Sequence, residues 1–170
     1  MDDKIDSSYD LFVHDLKSML YLERRLMDEL ESMSGEVTSD KLRDALLEHQ
    51  EETSDQVDRL ERIFNIMGVD AESHVTADFR GIFEEAEQLN ERIDEVELIN
   101  IAFLNSAKKV EHIEVSSYKS MIDMAERFDM DDDVIDLLED SLEEEKDARD
   151  KLERMSKSSW WEKMVENLMP

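Results

Sequence analysis

Residues 42–67, LRDALLEHQEETSDQVDRLERIFNIM, decide the fold. Leu42, Ala45, Leu46, Leu60, Ile63 and Met67 recur at steps of three and four, the period of one helix face. The middle of that face is filled by His49, Glu52 and Gln56, a polar belt between two apolar ends. The pattern returns in three other segments. Phe12, Leu16, Met19, Leu26, Leu30 and Met33 keep one face that Glu23 alone interrupts. Phe103, Ala107, Glu111, Glu114, Tyr118 and Met121 share another, as do Ile135, Leu138, Leu142, Glu145, Arg149 and Leu152. A carboxylate buried without a partner costs several kcal/mol, so cations, protons or an arginine must neutralise these positions.

The interruptions also fall at one height. A turn near Ser34–Ser39 leaves Glu23 and Glu52 each roughly 14 residues, or about 20 Å, away along their helices. A turn near Asp129–Met130 leaves Glu114 and Glu145 each roughly 15 residues away, with Glu111 one turn further. Four helices therefore contribute to a single central layer.

Local signals divide the chain accordingly. Ser7 or Ser8 caps a first helix to about Met33, ended by Ser34-Gly35, and Ser39 or Asp40 caps a second that reaches Met67 before Gly68. A polar loop, Val69–Thr76, and a shorter amphipathic helix with Phe79, Ile82, Phe83, Ala86 and Leu89 on one side make a connection long enough to cross a bundle. The third long helix, about Glu95 to Phe128, turns through Asp129–Asp132 into the fourth, about Asp133 to Met155. Two hairpins joined by a long crossover predict an all-α, ferritin-like up-down four-helix bundle over residues 1–157. Residues 158–170, with Trp160, Trp161, Met164, Val165 and Leu168, form a short amphipathic tail that packs back on the bundle or at a subunit contact.

Composition narrows the functional classes. The 170 residues are 40% hydrophobic, enough for one core, and contain three glycines and one proline, few helix breakers for this length. With no cysteine there are no disulfides, zinc-thiolate sites or thiol catalysis. The formal net charge of −27, spread over the whole chain, repels phosphate backbones and suits a high-salt cytoplasm. Stability is then expected to rise with salt as repulsion is screened. No stretch has the ~20 apolar residues of a membrane span and the N-terminus lacks a signal pattern, so a cytoplasmic protein without membrane or nucleic-acid partners is expected. His14 and His74 read as surface residues without a partner, and His112 as lying on the flank of its helix.

The stretches LFVHDLKSMLYLERRL, LLEHQEETSDQVDRLERIF, KKVEHIEVSSY and LEEEKDARDKL, in this order over residues 8–156, resemble the YciF/YciE-type branch of the ferritin-like superfamily. That resemblance implies a homodimer and a dinuclear metal centre, commonly iron, in a family associated with stress responses. Residue by residue it points to Glu23, Glu52, Glu111, Glu114 and Glu145 as ligands, an oxygen-rich set suited to iron or manganese with open positions for oxygen or peroxide. Gln56 and Arg149 stand where the superfamily's Glu-x-x-His pairs would lead one to look for histidines. Tyr118, one turn after Glu114, is a supporting hydrogen-bond donor or a core residue. Two readings follow. One is a carboxylate-bridged diiron or dimanganese protein with ferroxidase-like or peroxide-consuming chemistry, in which Arg149 closes one side. The other is a metal-free bundle, a dimerising or partner-binding module, in which Arg149 and His49 neutralise the glutamates.

Overall fold

The computed structural model describes residues 4–168, and among them the elements are helices only: α1 (Ser8–Glu36), α2 (Asp40–Met67), α3 (Ala77–Asn90), α4 (Val96–Arg127), α5 (Asp132–Met155) and α6 (Ser159–Leu168). Pro170 and the ends of the two expected units, 1–3 and 169–170, lie outside the described residues. Short polar side chains set the starts. Ser7 accepts the amide of Asp10, whose carboxylate accepts the Ser7 hydroxyl at 2.7 Å and the Asp6 amide at 3.2 Å, a reciprocal cap. Ser39 caps α2 through Leu42, and Asp131 caps α5 through Asp133. Gly68 ends α2 at φ 67°, a left-handed conformation that a side chain would strain. The turn between α4 and α5 takes Asp129 to φ 51°, which a short polar residue tolerates. One end differs from expectation: α1 runs through Gly35 to Glu36 and stops where buried Val37 turns inward.

The chain builds the expected bundle, α1 against α2 and α4 against α5, with α2 facing α5 and α1 facing α4. The crossover helix α3 lies along α4 and buries Phe79 and Phe83. Arg25 of α1 stacks its guanidinium 5.6 Å from the Phe83 ring and pairs with Glu87, which fastens α3 to the first hairpin. The tail helix α6 packs on α4, buries Met164 and sets Trp161 against the core.

Every inward residue expected on α1 and α4 is buried. On α2 and α5 the inward stripe is shifted by one residue at the charged positions. Thr53, not Glu52, follows His49 on the buried face of α2, and Ala148, not Arg149, follows Glu145 on that of α5. A helix offers either the third or the fourth residue as the next inward position, and the core takes the less costly group.

Candidate metal centre

Four carboxylates meet at mid-bundle: Glu23 from α1, Glu111 and Glu114 from α4 and Glu145 from α5, each no more than 1% exposed. His49 of α2 joins them at 7% exposed. Ligand atoms of His49, Glu111, Glu114 and Glu145 all lie within 4.8 Å of one another, a spacing at which one ion could be held. Glu23 adjoins this group through Glu114. Seven polar atoms of the layer are buried without a hydrogen-bond partner: six on the acidic and imidazole groups, Glu23 Oε2, His49 Nε2, Glu111 Oε2, both oxygens of Glu114 and Glu145 Oε2, and Gln56 Oε1 beside them. Buried polar atoms are almost always paired, so such a concentration marks a place built for something other than packing.

The partners that are present fix orientation. Tyr118, fully buried, donates its hydroxyl to Glu23 Oε1 at 2.6 Å. Gln56 donates to Glu145 Oε1 at 2.5 Å and to Glu144 Oε2 at 3.2 Å, and Arg59 grips Glu144 with two nitrogens at 2.5 and 2.6 Å. His49 Nδ1 lies 3.4 Å from Glu52 Oε2, and its Nε2 lies 3.1 Å from Glu111 Oε1, in ion-pair range but off hydrogen-bond geometry.

Crowding of like charges in a dry interior disturbs their acidity. Burial raises Glu23 to about 7, against the opposing hydrogen bond from Tyr118. Burial likewise lifts Glu114 well above the usual carboxylate range, with Glu145, Glu23 and Glu111 pushing the same way. Glu145 is raised by burial and by Glu111, with His49 opposing. Burial would lower His49, but Glu111, Glu52 and Glu145 outweigh it and hold the imidazole well above 6.5. Burial and Glu23 keep the Tyr118 phenol protonated.

The candidate residues read from the sequence thus separate. Glu23, Glu111, Glu114, Glu145, His49, Gln56 and Tyr118 are brought together in the layer. Glu52 is not fully inward; its side chain is 36% exposed and reaches the layer only through His49. Arg149 corrects an expectation. It turns out of the bundle to Asp150, 2.7 Å away, so it neither fills the layer nor neutralises its glutamates. His14 and His74 are also corrected: half-buried, they face each other with ring centroids 5.0 Å apart, because the crossover ties its His74 amide to Lys17 of α1. His112 is exposed on its flank as expected. The supporting pair Arg59–Glu144 was not foreseen, and its only sequence signal is that Glu144 precedes Glu145 and Arg59 follows Gln56 by three residues.

No helix among the described residues is long and apolar enough to cross a membrane. Comparison with known proteins gives one consistent result. The family model described as Domain of unknown function (DUF892) matches residues 7–164. Protein YciF of Escherichia coli (strain K12) is 30% identical over 143 residues, 81% of this chain and 82% of that protein. YcfI from Rhodopseudomonas palustris aligns with a TM-score of 0.85 at 29% identity, covering 90% of this chain and 97% of that one. The crystal structure of the E. coli stress protein YciF gives 0.83 at 27%, covering 89% and 96%. A protein from Xanthomonas campestris pv. campestris shares the fold at a TM-score of 0.73 and 18% identity. Matched from the cap of α1 into α6, and built around the same bundle as its YciF-type relatives, the chain belongs to the DUF892 family.

Proposed function

We propose that the chain is a cytoplasmic, dimeric, carboxylate-bridged dinuclear iron or manganese protein that consumes peroxide or oxidises iron in stress protection. The observation that carries this reading is the set of six buried, unpartnered ligand atoms in the layer. Four buried carboxylates carry a charge equal and opposite to that of two divalent ions, and an oxygen-rich set with one imidazole suits iron or manganese. Glu23, His49, Glu111, Glu114 and Glu145 would hold the ions, Glu114 being a neighbour of both Glu23 and Glu145. When bound, such ions supply electron exchange with dioxygen or peroxide.

The chain's own groups prepare that binding. The Glu52 carboxylate at Nδ1 orients His49 so that Nε2 faces the layer. Gln56 fixes one oxygen of Glu145 and leaves Oε2 free, and Tyr118 does the same for Glu23. Binding expels the protons that the layer otherwise retains on Glu23, Glu114, Glu145 and His49, so affinity rises with pH.

One observation favours a second reading, a metal-free partner-binding bundle: protonated His49 is itself a cation inside the layer, the role that Arg149 does not take. Metal analysis of protein prepared without chelator separates the two, with about two iron or manganese ions per chain expected from four buried carboxylates. Iron-dependent oxygen or peroxide consumption tests the chemistry, and light scattering tests the dimer. Metal-free protein that also fails to take up either ion on addition would sink the first reading.

A further inference from the structure

A cavity of about 380 Å³ opens between α2, α4 and α5 and ends on His49 and Glu111. It exists because Ala45, Ala107 and Ala148, one on each of these helices and one turn from His49, Glu111 and Glu145, are too small to fill the space. Its inner end is not inert. His49 Nε2 and Glu111 Oε2 are buried there without hydrogen-bond partners. Its outer end carries the exposed carboxylates of Glu48 and Asp147, with Lys151 tethered to Glu48. Glu52, part-exposed and 3.4 Å from His49 Nδ1, stands between the two ends.

Tyr118 covers Glu23, and Gln56 with the Arg59–Glu144 pair covers Glu145. A divalent cation leaving water needs an oxygen donor at each stage of its path, because a bare charge in a dry interior is prohibitively costly. Carboxylates at the mouth, midway and end supply such a series along this one cleft.

We propose that the cleft is the route by which divalent cations reach the layer, and that Glu52 is the carboxylate that hands them inward without remaining a ligand of the filled site. This rests on the metal reading above and adds to it the path and a separate role for Glu52. It also accounts for the one glutamate of the expected five that the fold leaves part-exposed.

A residue on a path changes rates in both directions and leaves the equilibrium alone, whereas a ligand changes the equilibrium. Mn²⁺ uptake is followed by stopped flow with a fluorescent chelator as competitor, release by transfer to excess chelator, and the number bound at equilibrium by electron paramagnetic resonance. Glu52→Gln, nearly isosteric and still able to accept from His49 Nδ1 through its amide oxygen, is expected to slow uptake and release alike by roughly tenfold, the effect of a modestly higher barrier, with the number of ions bound unchanged. Ala148→Leu, which narrows the cleft without touching a ligand, is expected to act in the same way. A lost ion in Glu52→Gln makes Glu52 a resident ligand and overturns the proposal. Unchanged rates in Glu52→Gln place the route elsewhere and overturn it too. Wild-type protein that takes up no Mn²⁺ and no anaerobic Fe²⁺ is a different result, which removes the metal reading itself.

Discussion

The two sides of the buried layer are built on opposite plans. On the α1–α4 side Glu23, Glu114 and Tyr118 are all 0% exposed, and a phenol closes the wall. On the α2–α5 side His49, Gln56 and Glu145 are buried too, but they lean on the part-exposed Glu52, Glu144 and Arg59 and adjoin an open cleft. The sealed side holds its protons strongly, since burial is the largest cause of the raised pKa values of Glu23 and Glu114. The open side sets orientation and access. A buried charge layer can thus be kept both high in energy and reachable, provided the two demands fall on different residues; α4 serves both, with Glu114 and Tyr118 sealed and Ala107 and Glu111 on the cleft.

Removing the group where the two sides join should break the arrangement most. Glu114 has both oxygens buried and unpaired, so Glu114→Gln is expected to weaken Mn²⁺ binding by more than the ~10–100-fold typical of lost supporting hydrogen bonds. Gln56→Leu on the open side should fall within that range. Equal losses in competitive Mn²⁺ titrations would erase the distinction.

A second test sharpens the sealed side alone. Glu23 has a folded pKa of about 7 against a usual value of 4.5, so the folded chain holds this proton more tightly than the unfolded one. In metal-free protein its contribution is fully present below about pH 4.5 and is lost as pH rises through about 7. The loss amounts to about 3 kcal/mol. Glu114 and Glu145 act in the same direction. Glu23→Gln stays neutral, so its urea-denaturation stability should gain on the wild type by about 2.5 kcal/mol between pH 5 and pH 8 without metal. Parallel pH profiles would show that Glu23 is not sealed.

Tyr118→Phe leaves a buried carboxyl oxygen of Glu23 without its donor and should cost about 1–3 kcal/mol in the same assay. It should also push Glu23 higher still, since the phenol's hydrogen bond is what restrains it. The smallest effect is expected at Arg149, whose pairing is with the exposed neighbour Asp150. Arg149→Ala should change stability by less than about 1 kcal/mol and leave metal content as it was. A larger loss of either would return Arg149 to the layer.

These contrasts also mark how far the sequence could be read. The α1 and α4 faces were legible because both residues that a step offers are buried there: Leu22 with Glu23 after Met19, and Val115 with Glu114 after Glu111. On α2 and α5 the step from His49 or Glu145 could land on a charged residue or on its small neutral neighbour. Periodicity treats Glu52 and Thr53, or Arg149 and Ala148, almost alike, and only the desolvation cost chooses between them. Tertiary pairings were beyond reach for another reason. Arg59 and Glu144 are 85 residues apart, and the His14–His74 contact depends on where the crossover loop lies over α1. The cleft was written in three alanines, but a small residue signals a gap only when the opposing helices are known.

Asn100 of α4 accepts the amide of Thr38 at 3.1 Å and donates to the Thr38 hydroxyl at 2.9 Å, while its amide nitrogen also lies 3.8 Å from the Met164 sulfur. The bend between α1 and α2 is therefore held from two sides: Arg43 of α2 donates to the Ser34 and Val37 carbonyls at 3.1 and 2.6 Å, and the second half of the chain ties Thr38. The first hairpin cannot complete its corner until the second has docked, so the halves are expected to fold in one cooperative event. The Thr38 amide is the reporter: its hydrogen exchange should slow only when both hairpins are assembled.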